Sequence, residues 1–337
     1  MKAIALISGG LDSTLAAKIM QNLDMELVCL NTLSPFCLCN HHSSKGSLCG
    51  AHSVAKELGL KLISVNVTDE FLKIVNKPKH GYGSNMNPCI DCRILLFKKA
   101  KEAMVKEGAS FVITGEVLGQ RPMSQKSNTM KLIEKESGLE GLVLRPLSAK
   151  VLMPTIPEEK SWVDRKKLLA INGRGRREQF ALANEFGIHD YPCPSGGCLL
   201  TDPEFSRRIR DLVNHNELTL ENVQLAKAGR YLRLSPQAKL AVGRNQNDNL
   251  RLEQLAKDGD WLFSPGQDLA GPTALGRGEF SEELIKLSCQ IVCRYSDLNG
   301  NKEAQIFYQK TGEVPEGDCS CLEVLPLVES QLAALRI

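Results

Sequence analysis

Ser8-Gly9-Gly10-Leu11-Asp12-Ser13 sets two glycines, two hydroxyls and a carboxylate between a short apolar run and a helical one. Paired glycines let successive N–H groups turn toward one point, and the helix that follows adds its positive end. A loop of this kind binds phosphate. Ser8 and Ser13 supply further donors, whereas Asp12 repels phosphate and so either holds Mg²⁺ or orients the loop. The GK[ST] ending of a Walker A loop is missing. The bland alternative is a plain turn with Asp12 as a helix cap.

The second chemistry is that of thiols. The chain has 12 cysteines in clusters, and a disulfide framework does not suit a chain of this length in a reducing compartment. Cys89 and Cys92 form a CxxC in the first turn of an expected helix, on one face. The helix N-terminus is expected to favour the thiolate of Cys89. Two thiolates are half of a closed four-ligand site. Cys193 and Cys198, either side of Pro194-Ser195-Gly196-Gly197, are the candidates for the rest. An iron–sulfur cluster, zinc and a set of buried small hydrophobes are the competing readings. Separately, Cys37, Cys39, Cys49 and His52 have the spacing C-x-C-x₉-C-x₂-H, which suits a structural Zn²⁺ in one loop. Incidental loop thiols are the alternative there. Cys289, Cys293, Cys319 and Cys321 show no pattern, and core packing is expected for them.

The elements that must position these groups alternate. Strand-like runs at Lys2–Ile7, Met25–Asn31, Leu62–Val67 and Phe111–Thr114 are interleaved with helical spacing at Ser13–Leu23, Ala51–Leu58 and from Pro88 to Lys106. Asn87 is expected as the N-cap of the last helix, Pro88 as its first residue and Gly108 as its stop. This order predicts an α/β fold with a parallel, doubly wound sheet. Prolines 146, 154 and 157 then break the rhythm, with helical pieces around Val163–Ile171 and Arg176–Phe186. Beyond about residue 205, short strands at Leu240–Gly243, Trp261–Phe263 and Gln305–Tyr308 alternate with Gly and Pro turns. The expected organisation is a catalytic domain over 1–150, a connecting segment over 151–204 and a smaller α+β domain over 205–337.

Composition places this among ordinary globular chains. Of 337 residues, 42% are hydrophobic and 24% charged, which excludes a disordered tail, a collagen or a coiled coil. No apolar run approaches the ~18 residues of a membrane span, and the start lacks the pattern of a secretory signal. Both absences point to the cytoplasm. Net charge is +3, but residues 1–200 carry +7 and residues 201–337 carry −4. Lys160, Arg165, Lys166, Lys167, Arg174, Arg176 and Arg177 against Asp164 make a +6 segment. It is either a solvated face or a contact surface for a phosphate backbone.

SGGLDS resembles the signature of the PP-loop ATP pyrophosphatases, which adenylylate a carbonyl oxygen with ATP and release pyrophosphate. Asn87-Pro88-Cys89-Ile90-Asp91-Cys92 resembles the NPCxxC stretch of tRNA 2-thiouridylases. Thr114-Gly115-Glu116-Val117-Leu118-Gly119-Gln120, with Ser124 and Gln125, resembles a segment of tRNA 4-thiouridine synthetases. Three ordered motifs make a chance match hard to sustain. The resemblance implies a tRNA sulfurtransferase that binds ATP through Ser8, Gly9, Gly10, Asp12, Ser13, Gly115 and Gln120. It assigns Asp12, Cys89 and Cys198 to catalysis. In these families a cysteine at the position of Cys198 faces the first cysteine of NPC. Some members work through a persulfide, and others hold a [4Fe–4S] cluster on three cysteines, here Cys89, Cys92 and Cys198. The cluster is the favoured expectation, with 4-thiouridine favoured over 2-thiouridine. Lys160, Arg121 and Lys126 are the candidates to offset phosphate charge. The implied partners are tRNA and a sulfur donor, sulfide or a persulfide carrier. Ala241-Val242-Gly243-Arg244-Asn245 with Asn249, Gly259-Asp260-Trp261 and Gly271-Pro272 resembles the NFACT-R type of RNA-binding module. Its arginines 230, 233, 244 and 251 are expected on one face. A PP-loop ligase or sulfurtransferase acting on a small molecule and a non-catalytic RNA-binding protein are the alternatives.

Overall fold

The computed structural model describes residues 1–37, 50–188, 197–298, 300, 302–312 and 319–337. The chain divides into two units, Met1–Asp202 and Pro203–Ile337.

In the first unit, β1 (Lys2–Leu6), α1 (Leu11–Gln21), β2 (Glu26–Leu33), α2 (Gly50–Glu57), β3 (Lys61–Asn66), α3 (Thr68–Asn76), α4 (Cys89–Glu107), β4 (Phe111–Thr114), α5 (Ser127–Ser137) and β5 (Val143–Leu144) follow one another. The strands pair in the order β3-β2-β1-β4-β5, all parallel. β1 is buried on both faces. Ala3 and Ala5 join α1 and α2 in one core, while Ile4 and Leu6 join Phe97 and Ala100 of α4 in the other. Burial on both sides explains why the strand reads as a near-continuous apolar run. The chain leaves β1 toward β2 on one side and enters β4 on the other, so the carboxyl end of β1 lies at the topological switch point where such sheets bind ligands.

The segment after β5 packs on this sheet. It holds α6 (Ile156–Glu159), α7 (Arg177–Glu185) and 3₁₀ turns at Ala149–Val151, Arg165–Lys167 and Leu199–Thr201. Val163, Leu168, Ile171 and Ala183 complete the core that α1 and α2 share, and Trp162 stacks on Phe111. The helical piece expected around Val163–Ile171 is only the 3₁₀ turn at Arg165–Lys167, because Leu168 and Ile171 are buried from an irregular path. Pro88 occupies the N-cap position of α4 and Asn87 lies outside it, without a side-chain cap bond. Gly108 closes the helix in the left-handed conformation, at φ 65°.

The second unit begins with α8 (Pro203–Asn214) and α9 (Leu220–Ala226). It continues through β6 (Arg230–Ser235), β7 (Ala238–Val242), α10 (Gln246–Leu255), β8 (Trp261–Pro265) and β9 (Ala274–Gly278). It ends with α11 (Glu282–Tyr295), β10 (Ala304–Lys310), β11 (Ser320–Val324) and α12 (Glu329–Leu335). Its strands form an antiparallel sheet in the order β11-β10-β8-β9-β7-β6. Cys289 and Cys293 of α11 pack with Phe263 and Ile306 in its core, as expected. Cys319 and Cys321 do not share that core: both are exposed at β11, an edge strand.

Two glycines set the spacing around the carboxyl end of β1. A Cβ on Gly9, which has φ +77°, would lie 2.5 Å from the carbonyl carbon of Gly50, at the start of α2. A Cβ on Gly115 would lie 2.4 Å from the backbone of Asp12. Replacing Gly115 with Ala therefore forces backbone apart and is expected to cost about 1–3 kcal/mol. Gly175→Ala, where nothing lies within 4 Å of the added carbon, serves as the control. Thermal unfolding of the two variants checks this, and equal melting temperatures would contradict the close approach.

Candidate functional site: a phosphate cradle facing a thiol cluster

The loop between β1 and α1 is held from within. The Ser13 hydroxyl donates to the Gly10 carbonyl at 2.8 Å, and the Thr14 hydroxyl donates to the same oxygen at 3.1 Å. The Ser8 N–H donates to Ser13 Oγ, and the Gly10 N–H reaches Ser8 Oγ. The first N–H groups of α1 have no partner inside the helix. They end at a cavity of about 230 Å³ lined by Ser8, Gly10, Asp12 and Ser13. Thr114, Gly115, Glu116 and Gln120 form another wall of the same cavity. The motifs expected to bind ATP thus meet at one place, with Gly9 behind them as packing.

Asp12 sits at the base of this cradle. Gln120 Nε2 donates to its Oδ2 at 3.1 Å, and Arg176 Nη2 approaches the same oxygen at 3.7 Å. Burial raises its pKa from the ordinary aspartate value, against the pull of Gln120, Arg176, Arg121 and Gln179. Among the described residues, Asp12 Oδ1 and Arg176 Nη1 are buried without a hydrogen-bond partner. Buried polar atoms are rarely left so, and their concentration beside one carboxylate marks a place where water, metal or ligand completes the set. Arg176 belongs to the basic segment expected as either a solvated face or a contact surface for a phosphate backbone. Instead α7 packs on α1 and turns it inward to Asp12. Arg165 also turns inward, to Glu158 and the Leu152 carbonyl. Lys160, Lys166, Lys167, Arg174 and Arg177 remain exposed.

Of the cations expected to offset phosphate charge, Arg121 lines the cavity. Lys160 lies over the Trp162 ring and Lys126 precedes α5, and neither lines the cavity. Arg93, which the sequence reading missed, does line it. Its neighbour in sequence is Cys92, so the CxxC helix was the available signal. Glu116, only 2% exposed, sits between Arg93 at 3.4 Å and Arg145 at 3.1 Å. Burial and the adjacent Arg93 charge lower the pKa of Arg121. Crowded, desolvated guanidinium groups favour an anion between them.

The thiols belong to the same lining. Cys89, Cys92 and Cys198 all line the cavity. Cys89 Sγ lies 3.7 Å from the buried Ser124 hydroxyl, and Asn87 Nδ2 approaches it at 3.9 Å. Cys37 lines the cavity too, paired with Cys198 through an antiparallel bridge. Its expected zinc partners Cys39 and Cys49 lie outside the described residues, as does Cys193, and His52 is exposed on α2. Cys37 could have been found from topology: it follows β2, whose carboxyl end lies on the same edge as the β1 loop. Among the described residues no three Cys, His, Asp or Glu side chains converge as a ready metal site. The donor chemistry nonetheless suits a soft metal or an iron–sulfur cluster, since the thiols of Cys89, Cys92 and Cys198 face one cavity.

In the second unit the arginines expected to share one face are divided. Arg233 is clamped by Asp211 and Glu217 with its side chain 9% exposed, and Arg230 stacks on Tyr295. Arg244 pairs with Asp248, and Arg251 reaches Gln224. The motif residues have structural tasks. Asn245 caps α10, Asp260 binds Arg277, and Gly243 leaves room for the Asn249 amide.

Burial pushes the Cys92 and Cys198 thiols up to about 12. At pH 8 only about one in ten thousand such thiols is ionised, against about a quarter for an unperturbed cysteine. Both are therefore expected to react with iodoacetamide at least about a hundredfold more slowly in the native chain than in urea. Quantitative peptide mapping checks this, and equal rates would show ionised, open thiols.

Residues 1–150 match the family model described as Thiamine biosynthesis protein (ThiI), and residues 229–333 match that of the NFACT protein RNA binding domain. A probable tRNA sulfurtransferase of Ureaplasma parvum serovar 3 is 30% identical over 152 residues, 44% of this chain and 37% of that protein. A probable tRNA sulfurtransferase of Methanosarcina mazei is 23% identical over 234 residues, 66% of this chain and 47% of that protein. The chain thus spans less than half the length of these curated relatives. A solved 4-thiouridine synthetase–RNA complex with bound ATP is 21% identical with a TM-score of 0.35, covering 66% of this chain and 53% of its own. The chain is thus similar to the ThiI family over residues 1–150 and to the NFACT RNA-binding domain over residues 229–333.

Proposed function

We propose that the chain is an ATP-dependent tRNA sulfurtransferase, which replaces a uridine carbonyl oxygen by sulfur. The observation that carries this reading is that a phosphate cradle and three thiols line one cavity. The two curated relatives named as probable tRNA sulfurtransferases support it, as do the two family models. The TGEVLGQ wall, Thr114 to Gln120, favours position 4 of the ring.

The chemistry has two steps. The uridine carbonyl oxygen attacks the α-phosphorus of ATP, and pyrophosphate leaves. A sulfur nucleophile then attacks the activated carbon, and AMP departs with the original oxygen. Backbone N–H groups of the Gly9–Ser13 loop hold phosphate oxygens, and Arg93 and Arg121 offset the charge that builds on them. Gln120 and Arg176 orient Asp12, which holds Mg²⁺ or the loop itself. Cys89, Cys92 and Cys198 would hold a [4Fe–4S] cluster, which when bound supplies an iron open to sulfide. Sulfide is the donor on that route. Without the cluster, Cys198 would take sulfane sulfur from a persulfide carrier, whose own thiol leaves, and the outer sulfur of the Cys198 persulfide would attack the carbon. The Cys89 thiol would then break the S–S bond, and a thiol reductant would reopen the resulting Cys89–Cys198 disulfide. The second unit and the exposed cations Lys166, Lys167, Arg174 and Arg177 contact the tRNA.

Asp12→Ala is expected to abolish AMP and pyrophosphate formation with the fold retained. Cys89→Ala, Cys92→Ala and Cys198→Ala are each expected to form AMP yet insert no sulfur. Radiolabelled ATP turnover and nucleoside mass spectrometry of the tRNA separate the two steps. Unchanged adenylylation in Asp12→Ala would sink the nucleotide assignment, and ATP turnover independent of tRNA would favour a small-molecule substrate. Affinity for tRNA should fall steeply with salt. Reversing Lys166, Lys167, Arg174 and Arg177 to Glu should weaken it more than four reversals elsewhere, and retained affinity would make that stretch a solvated face.

A further inference from the structure

Cys37 has no part in the two proposed steps. It is held on one side by Phe36, which is fully buried and meets Phe71 edge to face at 5.6 Å. Cys198 is held on the other. The Thr201 N–H and hydroxyl both donate to its carbonyl, and the Met86 N–H donates to the Leu200 carbonyl. Between the two segments the Leu199 N–H donates to the Phe36 carbonyl at 2.9 Å. The residues flanking the bridge therefore make the hydrogen bond, and Cys37 and Cys198 face each other as its non-hydrogen-bonded pair. That is the antiparallel position where Cα atoms come closest, to about 4.5 Å. The distance lies inside the range that a disulfide spans without moving the backbone. Both thiols are half-buried and neither is in a disulfide.

We infer that Cys37 is the disulfide partner of Cys198, and that the two form a reversible two-electron site at the rim of the cavity. The oxidant is a low-molecular-weight disulfide such as oxidised glutathione. The Cys37 thiolate attacks one of its sulfurs, forming a mixed disulfide and releasing one glutathione thiolate. The Cys198 sulfur, losing its proton, then attacks Cys37 Sγ and expels the second glutathione. Two thiols lose two electrons and two protons, and one oxidised glutathione becomes two reduced ones. The closed form withdraws Cys198 from the set it shares with Cys89 and Cys92. A thiol reductant restores it by the reverse exchange. This pairing stands on the bridge geometry alone and does not depend on the proposed tRNA chemistry.

The test uses the full chain, reduced and treated with a chelator, then equilibrated in glutathione buffers of rising oxidised fraction. Remaining thiols are alkylated in urea at low pH before exchange can occur, and non-reduced peptides are mapped by mass spectrometry. The expected product is a Cys37–Cys198 linked peptide, with Cys89 and Cys92 alkylated. The link should persist in Cys89→Ser and Cys92→Ser and be lost in Cys37→Ser. Linkage of Cys198 to Cys89, Cys92, Cys39, Cys49 or Cys193 would overturn the pairing. So would four alkylated thiols in fully oxidised glutathione. The wild-type map decides the matter even where a variant folds poorly. A failure of tRNA thiolation leaves this result untouched, and the reverse also holds.

Discussion

Close backbone approach around the β1–α1 loop is the constraint on which the rest depends. Gly9 lies against the first residue of α2, and Gly115 lies against Asp12. No side chain fits at either contact, so the loop, the helix after it and the end of β4 keep one spacing. The hydroxyls of Ser13 and Thr14 on the Gly10 carbonyl then fix the turn itself. The site follows from that spacing. Gln120 reaches Asp12 only because β4 ends beside the loop.

Charge is arranged around the same fixed point. Glu116 lies buried between Arg93 and Arg145, and Glu134 holds the far side of Arg145. Burying a lone carboxylate would cost several kcal/mol, and paired guanidinium groups offset that penalty. The network ties the start of α4, which carries the CxxC thiols, to the strand edge at β5. Thiols and phosphate loop are thus referenced to one sheet, although they come from distant parts of the chain.

Much of this was legible in the residues. The strands and helices of the first half and the three ordered motifs all lie where their patterns indicated. Glycine at 108 ended α4 because only the left-handed conformation closes that helix. What escaped was tertiary. α3 and α5 were overlooked, although Phe71, Leu72 and Val75, and then Met130 and Ile133, had helical spacing. Arg176 looked like a surface cation because charge runs usually are, and only the packing of α7 on α1 turns it inward. Cys37 was grouped with its neighbours in sequence, whereas its bridge partner lies across the fold at Cys198. Arg233 likewise carries no mark in sequence of the two carboxylates that enclose it.

The walls of the cavity are also separated in the order of synthesis. β5 ends at Leu144, so the whole parallel sheet and its loop exist before the Cys198 segment is made. Chains leave the ribosome amino end first and fold in units. The residues of the cradle and of the CxxC helix therefore all precede the Cys198 segment, which meets Phe36–Cys37 from the far end of the unit. Val163, Leu168, Ile171 and Ala183, which complete the core under the loop, are also made after the last strand of that sheet. A chain that stops before residue 198 lacks one lining segment of the cavity altogether, a different object from a chain with that segment mutated.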